Sequence, residues 1–210
     1  MSATPSARRF AEVDPDKVGF RLPRIGVARA ERARDLLEAL RDRYPDAHCE
    51  LDWSTPHELL YATILSAQCT DVAVNKATPA LFKRFPTPRD YTLVAPVDIE
   101  PYVKSLGFFR QKAKSLHETS RALVDRFGGE VPRTMEELLT LRGVARKTAN
   151  VVLGNAFGIN VGVVVDTHVT RLAQRMGHTK HDDPEALERD LMAVVPRTDC
   201  VTASAGIDAG

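Results

Sequence analysis

The chain has 210 residues, of which 43% are hydrophobic and 27% charged, proportions of a globular and not a disordered protein. Its net charge of +1 does not by itself mark a nucleic-acid binder, and no apolar run approaches the roughly 20 residues a membrane helix needs. Arg8 and Arg9 are followed by no apolar stretch, so no secretory signal is read, and Cys49, Cys69 and Cys200 are too few and too scattered for a disulfide framework; a reduced, cytoplasmic setting is expected.

Residues 1–27 carry three prolines and two glycines without periodicity and are expected to form a disordered arm. From Ala28 to Tyr44 the spacing of Ala33, Leu36, Leu37 and Leu40 predicts an amphipathic helix stopped by Pro45. Thr55-Pro56-His57-Glu58 combines an N-cap, a proline at the first helical position and a capping box, so LLYATILSA should follow as a central core helix. Asp71 is expected to cap the next helix, and Thr87-Pro88 and Asp98 to open two more, the second closed by Gly107. Arg110 to Phe127 reads as a long amphipathic helix ended by Gly128-Gly129, and Asp183-Pro184 starts a last helix through Val194. Only Val161 to Val165 has strand composition, too short to build a sheet. The fold class predicted is all-α, without internal repeat. The tail, 197–210, is small and polar and is expected to be unstructured.

The most informative stretch lies between Thr134 and Arg171. Thr134 and Glu137 form a capping box that opens a short helix presenting Met135, Leu138, Leu139 and Leu141. Gly143 breaks it, and a second helix runs from about Lys147 to Phe157, burying Ala149, Val152, Leu153 and Ala156 and ending at Gly158. Asp166 then reads as the N-cap of a third helix. Two helices joined by so tight a turn can aim free backbone N–H groups at one phosphate; the same pattern also makes an ordinary helical hairpin in a core. Lys147 departs from the ordinary. A cation at a helix N-terminus opposes the macrodipole, and that field favours the neutral amine a nucleophile needs. Charge supports a nucleic-acid face here, because Lys104 to Lys147 holds ten basic against five acidic residues while His178 to Cys200 holds three against six.

LRGVARKTANVVLGNAFG followed by VDTH resembles the helix-hairpin-helix and catalytic segment of the endonuclease III family of DNA glycosylases, which usually has L-P-G-V-G-R-K-T-A and then V-D-T-H. A second stretch, ELDWSTPHELLYATILSAQCTDVAVNKATPALF from Glu50 to Phe82, is similar to the first helices of that family, and the resemblance spans roughly 36–196. It implies the helix-hairpin-helix glycosylase fold, two helical lobes around a DNA-binding cleft. Residues 50–160 would form a six-helix barrel-like lobe with the hairpin, and 28–49 with 161–196 the second lobe. The family continues into a C-x6-C-x2-C-x5-C loop holding a 4Fe–4S cluster; those cysteines are absent from this sequence, so no cofactor and an incomplete second lobe are expected.

The resemblance also implies a chemistry. Lys147 would be the nucleophile of a bifunctional glycosylase and abasic-site lyase that removes oxidised pyrimidines, and Asp166 would activate it or stabilise the charge developing on the sugar. A phosphate-contacting surface lysine and a plain N-cap are the bland readings of the two. Gln68 would fill the hole left by the flipped base; the bland reading is an exposed polar residue at a helix end. Phe108 would be a second, apolar wedge, or else a residue packing back on its own helix after Gly107. Arg142, Gly143, Val144, Ala145, Arg146, Thr148 and His168 complete the expected contacts to double-stranded DNA carrying a damaged base or abasic site, bound by a monomer with no membrane partner. Ala145 stands where the family has glycine, which predicts strain if the position needs a positive φ, and Arg142, in place of proline, could add a phosphate contact. His178, His181, Asp182 and Asp183 read as a polar loop and not as a metal site. The alternatives are a catalytically inactive helix-hairpin-helix protein and a monofunctional adenine-type glycosylase, the latter disfavoured by Lys147.

Overall fold

The structure is a computed structural model and describes residues 29–43 and 48–196; the expected arm, the expected tail, Cys200 and the side chain of His168 lie outside them. Among the described residues there are ten helices and no strands. They are α1 (Arg29–Arg43), α2 (Pro56–Leu65), α3 (Asp71–Arg84), α4 (Pro88–Thr92), α5 (Pro96–Val103), α6 (Phe109–Phe127), α7 (Met135–Leu138), α8 (Arg146–Phe157), α9 (Thr167–Arg175) and α10 (Pro184–Met192). None is long and apolar enough to cross a membrane.

Local chemistry sets most of the boundaries. The Thr55 hydroxyl accepts from the Glu58 N–H while the Glu58 carboxylate accepts from the Thr55 N–H at 3.2 Å, closing the predicted capping box of α2. Two predicted starts move. Thr70, and not Asp71, caps α3, accepting from the Ala73 N–H; α5 begins at Pro96, where Asp98 reaches back to the Ala95 N–H at 3.0 Å. In both cases the carboxylate lies inside the first turn, where the macrodipole also favours it. Gly128 and Gly129 end α6 with φ of 64° and 90°, and Gly129 donates to Leu123 O at 2.9 Å. Gly107 does not play that part. The left-handed turn falls one residue later, on Phe108.

The buried side chains gather into two clusters. The larger is centred on α2, whose residues 59–65 are all buried, and packs α2 against α3, α6 and α8. Within it the Tyr61 hydroxyl lies 2.6 Å from Ser120 Oγ, and its ring packs edge-on to Tyr91. The smaller cluster joins Leu37 of α1, Val163, Val169 and Ala173 of α9, and Leu187, Leu191 and Val195 around α10. The chain enters the small cluster, builds the large one, and returns after Val161. Since exchange follows the free energy of local opening, amides of α2 should exchange more slowly than those of α1 and α10. Hydrogen exchange read by mass spectrometry checks this; equal protection in the three helices would mean that the two clusters open as one unit.

Candidate functional site

The hairpin between α7 and α8 is held from beneath. Thr134 accepts from the Glu137 N–H at 3.3 Å and donates its hydroxyl to the Glu137 carboxylate at 2.7 Å, so the capping pair closes through side chains. Met135, Leu138 and Leu141 are buried as the spacing predicts, whereas Leu139 is exposed. Gly143 takes φ 78°, and a Cβ there would stand 3.4 Å from Ile64 Cγ2 and from Ser115. Thr119 donates its hydroxyl to Arg142 O at 2.7 Å, and Val144, its side chain buried, donates its N–H to Leu141 O at 3.3 Å. Val144 therefore shapes the turn through its core contacts.

Ala145 corrects an expectation. Its φ of −97° and ψ of 173° are ordinary extended values, so the methyl group carries no strain. What the residue does instead is withhold a cap. Thr55, Thr70, Thr134 and Asp183 each accept a hydrogen bond at the start of their helices, while α8 has no side-chain cap at Ala145. Arg146, Lys147 and Thr148 occupy its first turn, where backbone N–H groups have no partner inside the helix.

On that turn the exposed Lys147 Nζ lies 3.4 Å from Asp166 Oδ2. The other carboxylate oxygen of Asp166 accepts from the Val169 N–H at 2.9 Å and so caps α9, as the sequence predicts. One rigid carboxylate thus serves the helix with one oxygen and the lysine with the other. Asp71, at the start of α3, also feels Lys147. Burial pushes its carboxyl above the usual range, Glu50 adds to this, and the Lys147 charge pulls it back. In the sequence Asp71 reads as a helix cap, and its proximity to Lys147 is not legible there, because no local pattern marks it.

Gln68 and Phe108 are the two described non-glycine residues with positive φ, each at 56°. Both are exposed, Phe108 at 68%, so the reading in which Phe108 packs back on its helix does not describe this structure. Gln68 lies in the turn between α2 and α3, three residues beyond the last residue of α2. The neighbouring Cys69 links the two turns. Its sulfur accepts from Lys112 Nζ at 3.0 Å, and the Lys112 ammonium, with help from the Gly107 backbone, holds the thiol below its ordinary range although partial burial opposes this.

The remaining hairpin cations are engaged within the chain. Arg142 Nη1 pairs with Glu118 at 3.0 Å, and Arg146 Nε with Glu188. Neither pair is evident from the sequence, because the partners lie on α6 and α10. At the polar loop, Gln174 Nε2 donates to the Asp182 carboxylate at 2.7 Å, and His178 is buried. Among the described residues no group of three or more His, Cys, Asp or Glu side chains could hold a metal ion.

Gly143→Ala is expected to lose about 1–2 kcal/mol of stability through its left-handed φ, and Ala145→Gly several tenths to about 1 kcal/mol through added chain entropy. Urea denaturation measures both, and a stabilised Ala145→Gly variant would restore strain to that position. Separately, Cys69 should react with iodoacetamide faster than Cys49 at neutral pH, and Lys112→Met should slow it by raising the thiol back toward its ordinary value. Peptide mapping after timed alkylation reads both rates; an unchanged Cys69 rate in Lys112→Met would remove the lysine as the cause.

Comparison with known proteins agrees with this arrangement. A family profile described as HhH-GPD superfamily base excision DNA repair protein matches residues 61–197. Endonuclease III of Synechocystis sp. is 56% identical over 172 residues, 82% of this chain and 78% of that protein. Endonuclease III of Bacillus subtilis is 44% identical over 164 residues, 78% of this chain and 74% of that protein. The solved structure of a trapped endonuclease III–DNA covalent intermediate superposes with a TM-score of 0.81 at 41% identity, covering 86% of this chain and 85% of that one. A non-covalent endonuclease III–DNA complex gives the same TM-score over 88% and 86%. With its uncapped hairpin helix and its lysine facing a capping aspartate, the chain belongs to the endonuclease III family of helix-hairpin-helix base excision repair proteins.

Proposed function

We propose that this chain is a bifunctional DNA glycosylase and abasic-site lyase that removes oxidised pyrimidines from duplex DNA, with Lys147 as its nucleophile. The observation that carries the reading is the Lys147–Asp166 contact at 3.4 Å on a helix start that no side chain caps. The neutral Lys147 amine attacks C1′ of the flipped nucleotide, the bond from C1′ to the base breaks, and the departing base takes up a proton. Ring opening gives an imine between Nζ and C1′. Loss of a C2′ proton then expels the 3′ phosphate by β-elimination. Asp166 accepts a proton from the Lys147 ammonium and opposes the positive charge that develops on the sugar. A trapped covalent DNA intermediate of a related endonuclease III accords with such an imine.

The same reading assigns the DNA contacts. The first-turn N–H groups of Arg146, Lys147 and Thr148 face a phosphate, with Gly143 and Ala145 allowing close approach and His168 placed on the neighbouring helix start. Gln68 enters the vacated stack and Phe108 wedges beside it. Their exposed side chains on strained turns support this, since positive φ in a non-glycine residue persists where the surroundings enforce it. Residues 50–160 would form one lobe and 28–49 with 161–196 the other, the site lying at their seam, in a monomer acting in the cytoplasm. As for a 4Fe–4S cluster, the sequence has three cysteines where four thiolates are needed, so the residues present do not fit that group.

Borohydride trapping on an abasic duplex tests the assignment. Lys147→Ala should give no covalent product while binding duplex within about tenfold of the parent, because one amine and at most one phosphate contact are lost. Asp166→Asn should keep its cap to α9 yet slow single-turnover base release by roughly 100-fold. Trapping that persists in Lys147→Ala would move the nucleophile elsewhere; an unchanged rate in Asp166→Asn would leave that residue as a cap alone.

A further inference from the structure

Resting on the reading of Lys147 as nucleophile, we propose that Glu188 is a positioning residue of the same reaction: its buried carboxylate locks the helix that carries Lys147 against the segment that carries Asp166. The Glu188 side chain is only 5% exposed and stands on α10, beside Leu187 and Leu191 of the smaller cluster. One oxygen receives Arg146 Nε, and the other receives Asn150 Nδ2 at 2.8 Å. Both donors belong to α8. Arg146 precedes Lys147 and Asn150 follows it by almost one turn, so the carboxylate grips the helix on either side of the nucleophile.

The third arm reaches the other half of the site. Asn150 Nδ2 also lies 3.3 Å from Val163 O, and Val163 is buried in the smaller cluster three residues before Asp166. The amide is committed to donation, for its Oδ1 is buried without a partner among the described residues. A buried acceptor left unmatched is costly, and the arrangement keeps it so that the nitrogen can join two acceptors from different parts of the chain. Gly162 closes the cradle. A Cβ there would overlap Glu188 Oε1 and approach Asn150 Nδ2 to 2.9 Å, and the carboxylate could yield only by releasing the bonds that hold it.

The plain alternative is an interior ion pair that merely joins two clusters. Such a pair would act on stability alone. Here the contacts bracket Lys147 and end on the segment leading to Asp166, so they set the 3.4 Å separation between the two, and displacements of about 1 Å in a reacting constellation cost roughly 100-fold in rate.

The test is borohydride trapping of an abasic duplex under single-turnover conditions with the full chain and with Glu188→Gln, Asn150→Ala and Gly162→Ala. Rates are taken per folded molecule, at a temperature where circular dichroism shows the variant folded, alongside duplex affinity. Asn150→Ala leaves the Arg146–Glu188 pair in place and serves if the charge variant does not fold. The expected result is trapping slowed by about tenfold or more in all variants that fold, with affinity within about threefold of the parent, a rate-against-binding split that a stability role would not produce. Parental rates per folded molecule in Asn150→Ala and Gly162→Ala overturn the proposal. If the parent protein itself forms no trapped product, the assignment of Lys147 fails first and takes this inference with it.

Discussion

A helix that begins without a side-chain cap is the constraint on which the rest of this molecule depends. Every α-helix opens with N–H groups that have no partner inside it, and α2, α3, α7, α9 and α10 each satisfy one of them with a threonine or aspartate, whereas α4, α5, α6 and α8 do not. At α8 an alanine stands in that place, and the first turn carries two adjacent cations in Arg146 and Lys147. Each opposes the macrodipole, at a cost of about 0.3–1 kcal/mol per charge at exposed positions. The surrounding fold offsets this with carboxylates brought from elsewhere, Glu188 for Arg146 and Asp166 for Lys147. A stable helix start would have been easier to build with Thr or Asp at 145. The sequence forgoes it, and what remains is a turn whose free N–H groups suit an anion and whose amine is held by a rigid acid.

The turns bearing Gln68 and Phe108 show the same trade between stability and use. A left-handed backbone costs a non-glycine residue about 1–2 kcal/mol, and neither side chain recovers this through burial. The pair is nevertheless tied together. Cys69, next to Gln68, accepts from Lys112, whose own N–H donates to Phe108 O at 3.0 Å in the first turn of α6. Lys112 is itself 5% exposed, so its ammonium is fixed beneath both turns. Rigid support under two protruding side chains suits the roles proposed for Gln68 and Phe108, since a flexible wedge would be pushed aside by stacked bases.

How much of this could be read in advance follows from the range of each interaction. The capping box at Thr55 and Glu58, the glycines after α6 and α8, and the cap at Asp166 are contacts within a few residues, and local spacing reveals them. The hairpin and its lysine were legible for the same reason, with a family resemblance supplying the chemistry. Ala145 misled because a glycine elsewhere in the family suggested a positive φ, whereas here Gly143 alone in the hairpin takes that role. Phe108 was only half legible, since Gly107 was expected to close the helix and the spacing left open whether Phe108 would protrude or pack back on it. Asp71, Glu118 and Glu188 act across distant parts of the chain. No periodicity marks an acid on α10 as the partner of an arginine on α8.

Pairing also explains how a chain of net charge +1 can face a polyanion. The cations of the hairpin are each matched by an acid, Arg142 by Glu118, Arg146 by Glu188 and Lys147 by Asp166. These pairs differ in kind. Arg142 and Glu118 are both about one-third exposed, and such pairs exchange partners at little cost, so a phosphate can take the guanidinium from its acid. Glu188 is buried, and taking Arg146 from it would leave an uncompensated charge in the interior. The two arginines therefore divide into one that is open to exchange and one that is structural, and on the proposed function the backbone amides of α8 would supply the rest of the anion-binding field. On that reading, the geometry of the hairpin contributes more to holding a phosphate than excess charge does, and neither Arg142, paired with Glu118, nor Ala145, at an ordinary extended φ, disturbs that geometry.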